Sequence, residues 1–570
     1  MAIMPELSFN RRRFLACCAV LGINDTLLPG TLTAVAQDAD EITVEMLRQA
    51  ERLAGFHLPD ETREALLAEL ASNRDGYLDV RGISMDQDVP PSLVFHPVPP
   101  GYEVIEPARP PFPMEAAGVV RPDTDGELAL LSVMELAALI RERAVSSVEL
   151  TNLYLDRLKR YGSRLECVVE TTEDIAYRQA EQADQELSEG IYRGVLHGIP
   201  WGAKDLISVK GTRTTWGAAP FRDRVIDSDA TVYKRLSDAG AVLVAKLATT
   251  ALAGGNSEWF GGETKNPWDI TRPTSGSSGG PAAASAAGLV AFSIGTETYG
   301  SIINPSSNCG LTGHRPTFGM VSRHGVMPLS WSLDKVGPIC RTAEDCAAVL
   351  HAIAGPDGFD LSVLDRPFRW DPNFDVTGMR VGYLTNAFEG AVQGRDADET
   401  RRLAVRRRVD IAGIETLRDL GVELVPLELP ASIRNDHIRI IHHTEGAAMF
   451  EDMVLDGTID EIPNNRRMLF RARRFVPAVD YLQANRARTI LMQEMNEVLK
   501  DVELYVAPGS ATGLTNHTGH PALTLQHGFV DRIPVGLKFI GKLFSDAKML
   551  GLAKRFQSVT DYHRQHPGMM

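Results

Sequence analysis

Cysteine is scarce in this chain, with six in 570 residues. So few exclude a small disulfide scaffold, and no Cys-x-x-Cys or Cys/His spacing typical of a zinc site occurs. Two of the six lie at positions 17–18, close to the start of the chain. The other four leave two alternatives open, buried free thiols or a bridge such as Cys340–Cys346. These four are Cys167, Cys309, Cys340 and Cys346.

The chain also lacks an excess of positive charge and any long hydrophobic run. Lys and Arg number 59 against 74 Asp and Glu, which gives a formal net charge of −15. Sequence-independent binding to nucleic acid needs Lys and Arg to displace counterions from phosphates, so we expect no nucleic-acid partner. No segment approaches the roughly 18 consecutive apolar residues of a membrane-spanning helix, so we expect no stable membrane anchor. With 44% hydrophobic residues, the composition is that of an ordinary globular protein.

The N-terminus has the pattern of a secretory signal. Arg11–Arg13 precede an apolar run, Phe14–Ile23, and Ala34–Ala36 supplies an A-x-A cleavage site. Ten apolar residues form only about 15 Å of helix, half of a hydrocarbon core of roughly 30 Å. The paired arginines resemble a bacterial twin-arginine signal. We therefore expect residues 1–36 to be a signal peptide cleaved near Ala36, and the protein to be periplasmic; an ordinary basic tail is the alternative.

Proline divides the remainder of the chain into three regions. Residues 37–88 contain two short helical patterns, which predict a small helical extension. Nine of the 33 prolines then fall between Pro90 and Pro113, and so dense a cluster excludes helix or central strand. We expect an extended arm over residues 89–125 and one large domain over residues 126–570.

The large domain alternates helical and strand patterns. Ser132 with Glu135, and Ser146 with Glu149, fit the capping box that starts a helix. Short Val/Ala/Leu runs after such helices are typical of buried strands in α/β proteins. The elements expected include a helix at Thr231–Ala239 and strands at Ala241–Lys246, Met379–Leu384 and Leu504–Ala507.

A tract of serine and glycine, Ser275–Ala284, is the most informative segment. A loop feeding a helix can hold a phosphate, but no Gly-Lys-Ser/Thr follows and no acidic residue is placed for a ribose. The tract also satisfies G-x-S-x-G with Ser278 at the elbow. That motif needs a preceding strand, and residues 266–273, which contain two prolines and no strand pattern, predict a loop instead. This prediction disfavours the interpretation.

A third interpretation joins the tract to two other segments. Residues 197–205 contain Lys204 in an apolar setting, and residues 295–302 end in Gly300-Ser301-Ile302, with Ser301 placed 24 positions after Ser277. This combination resembles the amidase signature family, whose hallmark is a Gly/Ser-rich tract and a Ser-Ser-Lys triad. The resemblance runs from about Leu131 to the C-terminus. It includes three further segments, Leu333–Pro338, Arg341–Thr342 and Asn516–Ala522.

The resemblance implies an α/β fold with a large mixed β-sheet surrounded by helices. It assigns Lys204 as the catalytic lysine, Ser277 as a relay serine held in a cis peptide, and Ser301 as the nucleophile. No metal or organic cofactor is implied. The oxyanion hole implied is formed by backbone N–H groups of the turn that ends at the nucleophile, those of Thr298, Tyr299, Gly300 and Ser301.

The chemistry of these residue types is coherent in itself. A serine hydroxyl is a weak nucleophile that needs an adjacent base. Lysine, with an ordinary pKa near 10.4, can serve at neutral pH only where burial lowers that value, and the apolar segment Ile199–Leu206 provides such a place. A serine between Lys204 and Ser301 would pass the proton, a variant of the triad mechanism.

Three residues beside the nucleophile depart from the family pattern Thr-Asp-x-Gly-Gly-Ser-Ile-Arg. Glu297 stands for the aspartate, Tyr299 for a glycine and Ile303 for the arginine. An ion pair between positions 297 and 303 is therefore absent here. Tyr299 must adopt a backbone conformation that suits a residue with a Cβ.

The function expected is hydrolysis of a carboxylic amide through a seryl acyl-enzyme, with ester or carbamate cleavage by the same route. The alternatives are a non-catalytic binding protein on the same scaffold and an amidotransferase-type subunit. The partner expected is a small amide, ester or carbamate substrate, and a homodimer is compatible with the sequence. Trp216, Trp259 and Phe260 are either core residues or an indication of an apolar or aromatic substrate group.

Overall fold

The computed structural model of this protein covers most of the chain. It describes residues 42–54, 60, 63–64, 67, 97, 113, 118–254, 257–433, 435–463, 470, 473, 476, 478–509 and 513–568. The predicted signal peptide, residues 1–36, and most of the proline-rich arm lie outside these residues. The chain divides into two compact units, Met1–Met85 and Asp86–Met570.

The helices of the described residues are short to medium in length. They are α1 (Val44–Ala54), α2 (Asp125–Leu128), α3 (Val133–Arg141), α4 (Ser147–Leu165), α5 (Glu173–Ser188), α6 (Thr231–Asp238), α7 (Gly279–Ala286), α8 (Ile303–Cys309), α9 (Ala343–Ile353), α10 (Thr385–Phe388), α11 (Ala397–Asp419), α12 (Asn435–Met449), α13 (Glu451–Asp456), α14 (Ala478–Val498), α15 (Gly513–Thr518) and α16 (Asp546–Ser558).

The strands belong to one large sheet and two small hairpins. They are β1 (Val168–Thr171), β2 (Pro200–Lys204), β3 (Val242–Leu247), β4 (Glu258–Trp259), β5 (Gly262–Glu263), β6 (Lys265–Asn266), β7 (Asp269–Pro273), β8 (Phe292–Glu297), β9 (Thr312–Arg315), β10 (Lys335–Cys340), β11 (Arg380–Leu384), β12 (Glu423–Leu427), β13 (Leu504–Pro508), β14 (Ala522–Val530) and β15 (Ile533–Gly541).

The first unit contains helix α1, whose Leu47 is buried. Within this unit the Arg63 guanidinium pairs with the Glu51 carboxylate, with Nη2 and Oε2 2.8 Å apart. Both side chains are nearly inaccessible to solvent. The pair joins α1 to the residues that follow it in the predicted helical extension.

Local sequence signals place the first helices of the second unit correctly. The Ser132 hydroxyl accepts from the Glu135 N–H, and the Glu135 carboxylate accepts from the Ser132 N–H, so the predicted capping box at α3 is confirmed. Ser146 caps α4 by accepting from the Glu149 N–H. The Glu149 carboxylate pairs with Arg121 instead of returning to the cap. The predicted helix at Thr231–Ala239 and the three predicted strands are present, with ends shifted by one residue.

Within the described residues, eleven strands form one mixed sheet in the order β1-β3-β2-β8-β10-β9-β14-β15-β13-β11-β12. Strands β3, β2 and β8 are parallel, as are β13, β11 and β12, and the central pairs are antiparallel. Helices α3, α9 and α16 pack over the centre of the sheet through one core cluster, and α4, α5 and α7 pack against β3 through another. The α/β fold expected from the resemblance, a large mixed sheet surrounded by helices, is confirmed.

Because β2 and β8 are parallel neighbours, their carboxyl ends meet at one edge of the sheet. Lys204 is the last residue of β2, and Glu297 is the last residue of β8. The sheet thus brings together two of the three segments that carry the predicted site. Among the helices given above, none combines the length and the apolar composition that a membrane-spanning segment requires.

Candidate active site

The Lys204 side chain is fully buried and surrounded by oxygen atoms. Its Nζ donates to the hydroxyl oxygens of Ser277 at 2.8 Å and Ser278 at 2.9 Å. It also lies 2.8 Å from Thr296 Oγ1 and 3.3 Å from the Thr296 carbonyl oxygen. Strand β2 therefore delivers the lysine directly to the Gly/Ser tract, as the motif spacing predicts.

Burial lowers the pKa of Lys204 from 10.5 to about 7, although the negative charges of Asp334 and Glu297 oppose the shift. A lysine with this pKa is neutral in part of the population near neutral pH. Its nitrogen can then accept a proton from the serine hydroxyl beside it. This is the property that the sequence argument requires of a lysine base.

Ser277 and Ser278 occupy the loop between β7 and α7, and both are buried. The loop predicted over residues 266–273 is wrong, because β7 lies there; this strand pairs with β6 in a small hairpin and not with the large sheet. The Gly276–Ser277 peptide bond is cis, the form that the resemblance implies at this serine. Ser278, the elbow residue of the rejected hydrolase interpretation, precedes α7 and exchanges hydrogen bonds with the Thr296 backbone. Its N–H donates to the Ser301 carbonyl oxygen at 3.2 Å, which ties the tract to the turn that carries Ser301.

The turn Thr298–Ser301 connects β8 to α8. Gly300 adopts a φ of +104°, which a residue with a Cβ rarely adopts, whereas Tyr299 keeps a negative φ. The turn therefore places its one unusual backbone angle at its one glycine and accommodates the Tyr299 departure. Within the described part of the chain, the N–H groups of Gly300 and Ser301 donate to no protein acceptor, so they are available to an oxyanion.

The Glu297 carboxylate holds this turn from behind. Its Oε2 accepts from the N–H groups of Ile302 at 2.9 Å and Ile303 at 3.0 Å, and its Oε1 lies 2.8 Å from Arg315 Nη1. Burial alone would raise the pKa of Glu297, but the charges of Arg315 and Lys335 outweigh it and lower the pKa to about 2. The ion pair with position 303 is absent as expected, but Arg315, from β9, supplies the missing partner.

Tyr299 links the turn to two helices whose role the sequence did not indicate. Its hydroxyl donates to Asn435 Oδ1, and its ring stacks on His442 of α12 with 5.9 Å between centroids. The ring also packs edge-on against His517 of α15 at 5.4 Å. Residues 395–500 carry no recognisable motif. The one sequence signal for these contacts is the Tyr299 hydroxyl, which needs a hydrogen-bond partner when it is buried.

Two neighbouring side chains at the start of β10 complete the surroundings. The Asp334 carboxylate accepts from the Thr298 hydroxyl and from the N–H groups of Leu329 and Ser330. The Lys335 Nζ donates to Asn516 Oδ1 at 2.7 Å. Burial lowers the pKa of Lys335 well below its ordinary value. Both ionisable side chains thus have hydrogen-bond partners inside the protein.

Other candidates from the sequence contribute no side chain to the hydrogen bonds described above. All four cysteines of the described residues are free and buried, so the free-thiol alternative is the one found. Trp216 packs in a core cluster against Phe221, and Trp259 packs edge-on against Phe260. No group of three or more His, Cys, Asp or Glu in the described residues is placed to hold a metal ion.

Comparison with known proteins adds independent information to this geometry. A family model described as Amidase matches residues 149–513. The chain is 33% identical over 479 residues to a glutamyl-tRNA(Gln) amidotransferase subunit of Methylococcus capsulatus, an alignment covering 76% of this chain and 98% of that protein.

Solved structures give the same result for the fold. The native peptide amidase of Stenotrophomonas maltophilia superposes with a TM-score of 0.68 at 28% identity, covering 76% of this chain and 98% of that one. An amidase family protein from Bacillus anthracis superposes with a TM-score of 0.69 at 25% identity, covering 78% of this chain and 94% of that one.

Proposed function

Since this chain belongs to the amidase family, we propose that it hydrolyses a carboxylic amide through an acyl-enzyme formed on Ser301. The observation that carries this proposal is the hydrogen bond from the buried Lys204 Nζ to Ser277 Oγ, at 2.8 Å. A base with its pKa near 7 next to a serine hydroxyl is the arrangement that activates a second serine.

In the proposed acylation step, neutral Lys204 takes the Ser277 proton while Ser277 takes the proton of Ser301. The Ser301 oxygen bonds to the amide carbon, and the carbonyl oxygen becomes an oxyanion facing the N–H groups of the turn Thr298–Ser301. The C–N bond then breaks as the relay returns the proton to the leaving nitrogen, so that the amine departs neutral. Hydrogen bonds in such a relay tighten when substrate is bound.

Deacylation reverses the roles. Water adds to the acyl carbon and gives its proton to the Ser277–Lys204 relay. The ester C–O bond to Ser301 breaks, Ser301 regains a proton, and a carboxylic acid leaves. Esters and carbamates reach the same acyl-enzyme, so the proposal extends to them.

Purified full-length protein provides the test. It is incubated with aryl amides, fatty amides, amino-acid amides and carbamates, with and without hydroxylamine. The proposal predicts that at least one amide gives its acid, and that hydroxylamine diverts the acyl group to a hydroxamate. Absence of turnover and of hydroxamate across all four substrate classes would contradict it.

A second candidate is an amidotransferase-type subunit, because a relative with that name is 33% identical. A protein of this kind would act beside other proteins and tRNA. The acidic balance of 74 Asp and Glu against 59 Lys and Arg weighs against it, as does the predicted signal at residues 1–36. Amide turnover by the isolated chain favours the hydrolase; turnover only with added partner proteins favours the alternative.

We further propose that the protein works in the periplasm after removal of residues 1–36, with residues 37–88 as an extension and 89–125 as an arm. The supporting observation is the signal pattern that ends at Ala36. In protein recovered from the periplasm, the N-terminal peptide identified by mass spectrometry should begin just after Ala36. Recovery of the protein with an intact N-terminus from the cytoplasm would contradict export.

The oligomeric state is tested separately, because the elution volume in gel filtration distinguishes a homodimer from a monomer.

A further inference from the structure

A cavity of about 660 Å³, its open mouth included, lies beside the candidate site. Two of its lining residues belong to the site: Thr296, which accepts from Lys204, and Thr298 of the turn. The other end reaches Phe359, which is 62% exposed and stacks on His324 with 4.4 Å between centroids. The cavity therefore runs from the turn Thr298–Ser301 towards the surface.

Most of the lining side chains are hydrocarbon or aromatic. They come from the segment before β10 and from the ends of neighbouring strands: Leu206, Val326, Met327, Leu329, Trp331 and Val336. Met327 and Leu329 are almost completely buried, so the protein itself fixes the shape of this wall. Pockets with apolar walls and a few polar groups at one end are typical small-molecule sites.

Four charged side chains also line the cavity, Arg323, Asp334, Lys335 and Asp360, and each already has hydrogen-bond partners within the protein. Asp334 accepts from Thr298 and two backbone N–H groups, and Lys335 donates to Asn516. Arg323 forms a forked pair with Asp360, with distances of 2.7 and 2.8 Å. A charged ligand group would lose its hydration here and would meet ionisable side chains that are already engaged with other groups. Burying a charge without a new counter-charge costs free energy.

From this lining we propose that the cavity binds an uncharged hydrocarbon group of the amide substrate. The inference rests on the proposed function, because it names the substrate class that the Ser301 acyl-enzyme would serve. The hydrocarbon group of the substrate packs against the wall formed by Val326, Met327 and Leu329. The reacting carbonyl lies at the end of the cavity where Thr298 is. Amides that carry a carboxylate at the same distance are disfavoured.

The test compares kcat/KM for matched amides. In the acyl arm, hexanamide is compared with acetamide and with adipamic acid, in which a carboxylate replaces the terminal methyl. In the amine arm, N-hexylacetamide is compared with its carboxylate analogue, N-(5-carboxypentyl)acetamide. One arm should favour the hydrocarbon over the carboxylate at least tenfold, and that arm tells whether the cavity holds the acyl or the amine group. Equal or better turnover of the carboxylates in both arms would overturn the proposal.

A substitution in the wall connects the preference to this cavity. Val326 is half-buried, and Val326→Trp should reduce the ratio of kcat/KM for the preferred hydrocarbon amide over acetamide at least tenfold. Val425→Trp, at a half-buried valine on the edge strand β12, is the matched control and should leave that ratio unchanged. If Val326→Trp does not fold, Trp331→Ala is used instead. It enlarges the cavity at the same wall and should shift the preferred hydrocarbon chain of the substrate to a greater length. An unchanged chain-length profile in both variants would overturn the proposal.

Binding separates this proposal from the proposed function. Hexanamide and adipamic acid are titrated into the Ser301→Ala variant by calorimetry, where no chemistry is required. Preferential binding of hexanamide that is lost in Ser301→Ala/Val326→Trp supports the cavity even if wild-type protein turns over no amide. Preferential binding of adipamic acid refutes the hydrocarbon site, whatever the outcome for catalysis.

Discussion

Glu297 and Arg315 form a fully buried ion pair, 2.8 Å between Oε1 and Nη1, directly behind the turn that carries Ser301. The second oxygen of Glu297 receives the N–H groups of Ile302 and Ile303, so one carboxylate joins strand β9, the turn and the start of helix α8. Arg315 also donates to Thr515 Oγ1 and to the His520 carbonyl oxygen. The pair therefore anchors the turn Thr298–Ser301 to the sheet and to α15.

Removing one partner of this pair should be strongly destabilising. Arg315→Met leaves the Glu297 carboxylate buried without its cation, which typically costs about 3–5 kcal/mol of unfolding free energy. Urea denaturation measures this loss. Arg380→Met is the control, since Arg380 pairs with Glu423 at the surface and such pairs contribute under about 1 kcal/mol. Equal losses for the two variants would show that the buried pair has no anchoring role.

The two adjacent serines of the tract should differ in effect. Both accept from Lys204 at nearly equal distance, but only Ser277 is proposed to relay protons. Ser277→Ala should lower kcat by about 10³-fold or more, in the range seen when members of a catalytic unit are removed. Ser278→Ala removes one hydrogen bond to Lys204 and should cost about tenfold. If Ser278→Ala proved the more damaging, the relay would be assigned to the wrong serine.

Activity should follow the protonation of Lys204. Because its pKa is lowered to about 7, the neutral form predominates above that pH, and kcat/KM should rise about tenfold per pH unit below 7 and level off above it. Lys204→Ala should lose both the rise of kcat/KM with pH below 7 and most of the rate. A profile that continues to rise through pH 9 would mean that the base titrates as an ordinary lysine.

The Tyr299 side chain should matter for rate more than for substrate binding. Its hydroxyl and ring hold the turn against Asn435, His442 and His517. Tyr299→Gly frees the turn, and misaligning a single oxyanion donor typically costs about 3–4 kcal/mol, or 10²–10³-fold in kcat. Tyr299→Phe keeps the ring and should lose about fivefold. Steady-state kinetics of both variants separate kcat from KM; a rise in KM alone would indicate a substrate contact instead.

Much of the candidate site could be predicted because its residues lie in short local motifs. Lys204, Ser277 and Ser301 follow from three segments whose order and spacing are distinctive, and the capping signal at Ser132 is readable because its partner is three residues away. The parallel pairing of β2 and β8 then brings the first and last of these segments to one edge. Local chemistry and a regular sheet suffice for that part.

The partners of Glu297 and Tyr299, which differ from the family pattern, could not be predicted, because they come from parts of the chain that are distant in sequence. Arg315 of β9 reaches Glu297 of β8 across β10, which lies between these two strands in the sheet. No local pattern in the sequence reveals this strand order. Tyr299 meets Asn435, 136 positions away, in a region without a motif. The absence of an arginine at position 303 suggested a missing ion pair, whereas the sheet supplies the charge from another strand.

The assignment of Ser301 as the nucleophile is tested most directly by covalent labelling. A fluorophosphonate probe is added to purified wild-type protein, Ser301→Ala and Ser277→Ala, and the labelled peptide is identified by mass spectrometry. We predict a single adduct on Ser301 in the wild-type protein, none in Ser301→Ala and slower labelling in Ser277→Ala. Labelling that persists in Ser301→Ala, or an adduct on another serine of the wild-type protein, would contradict the proposed acyl-enzyme.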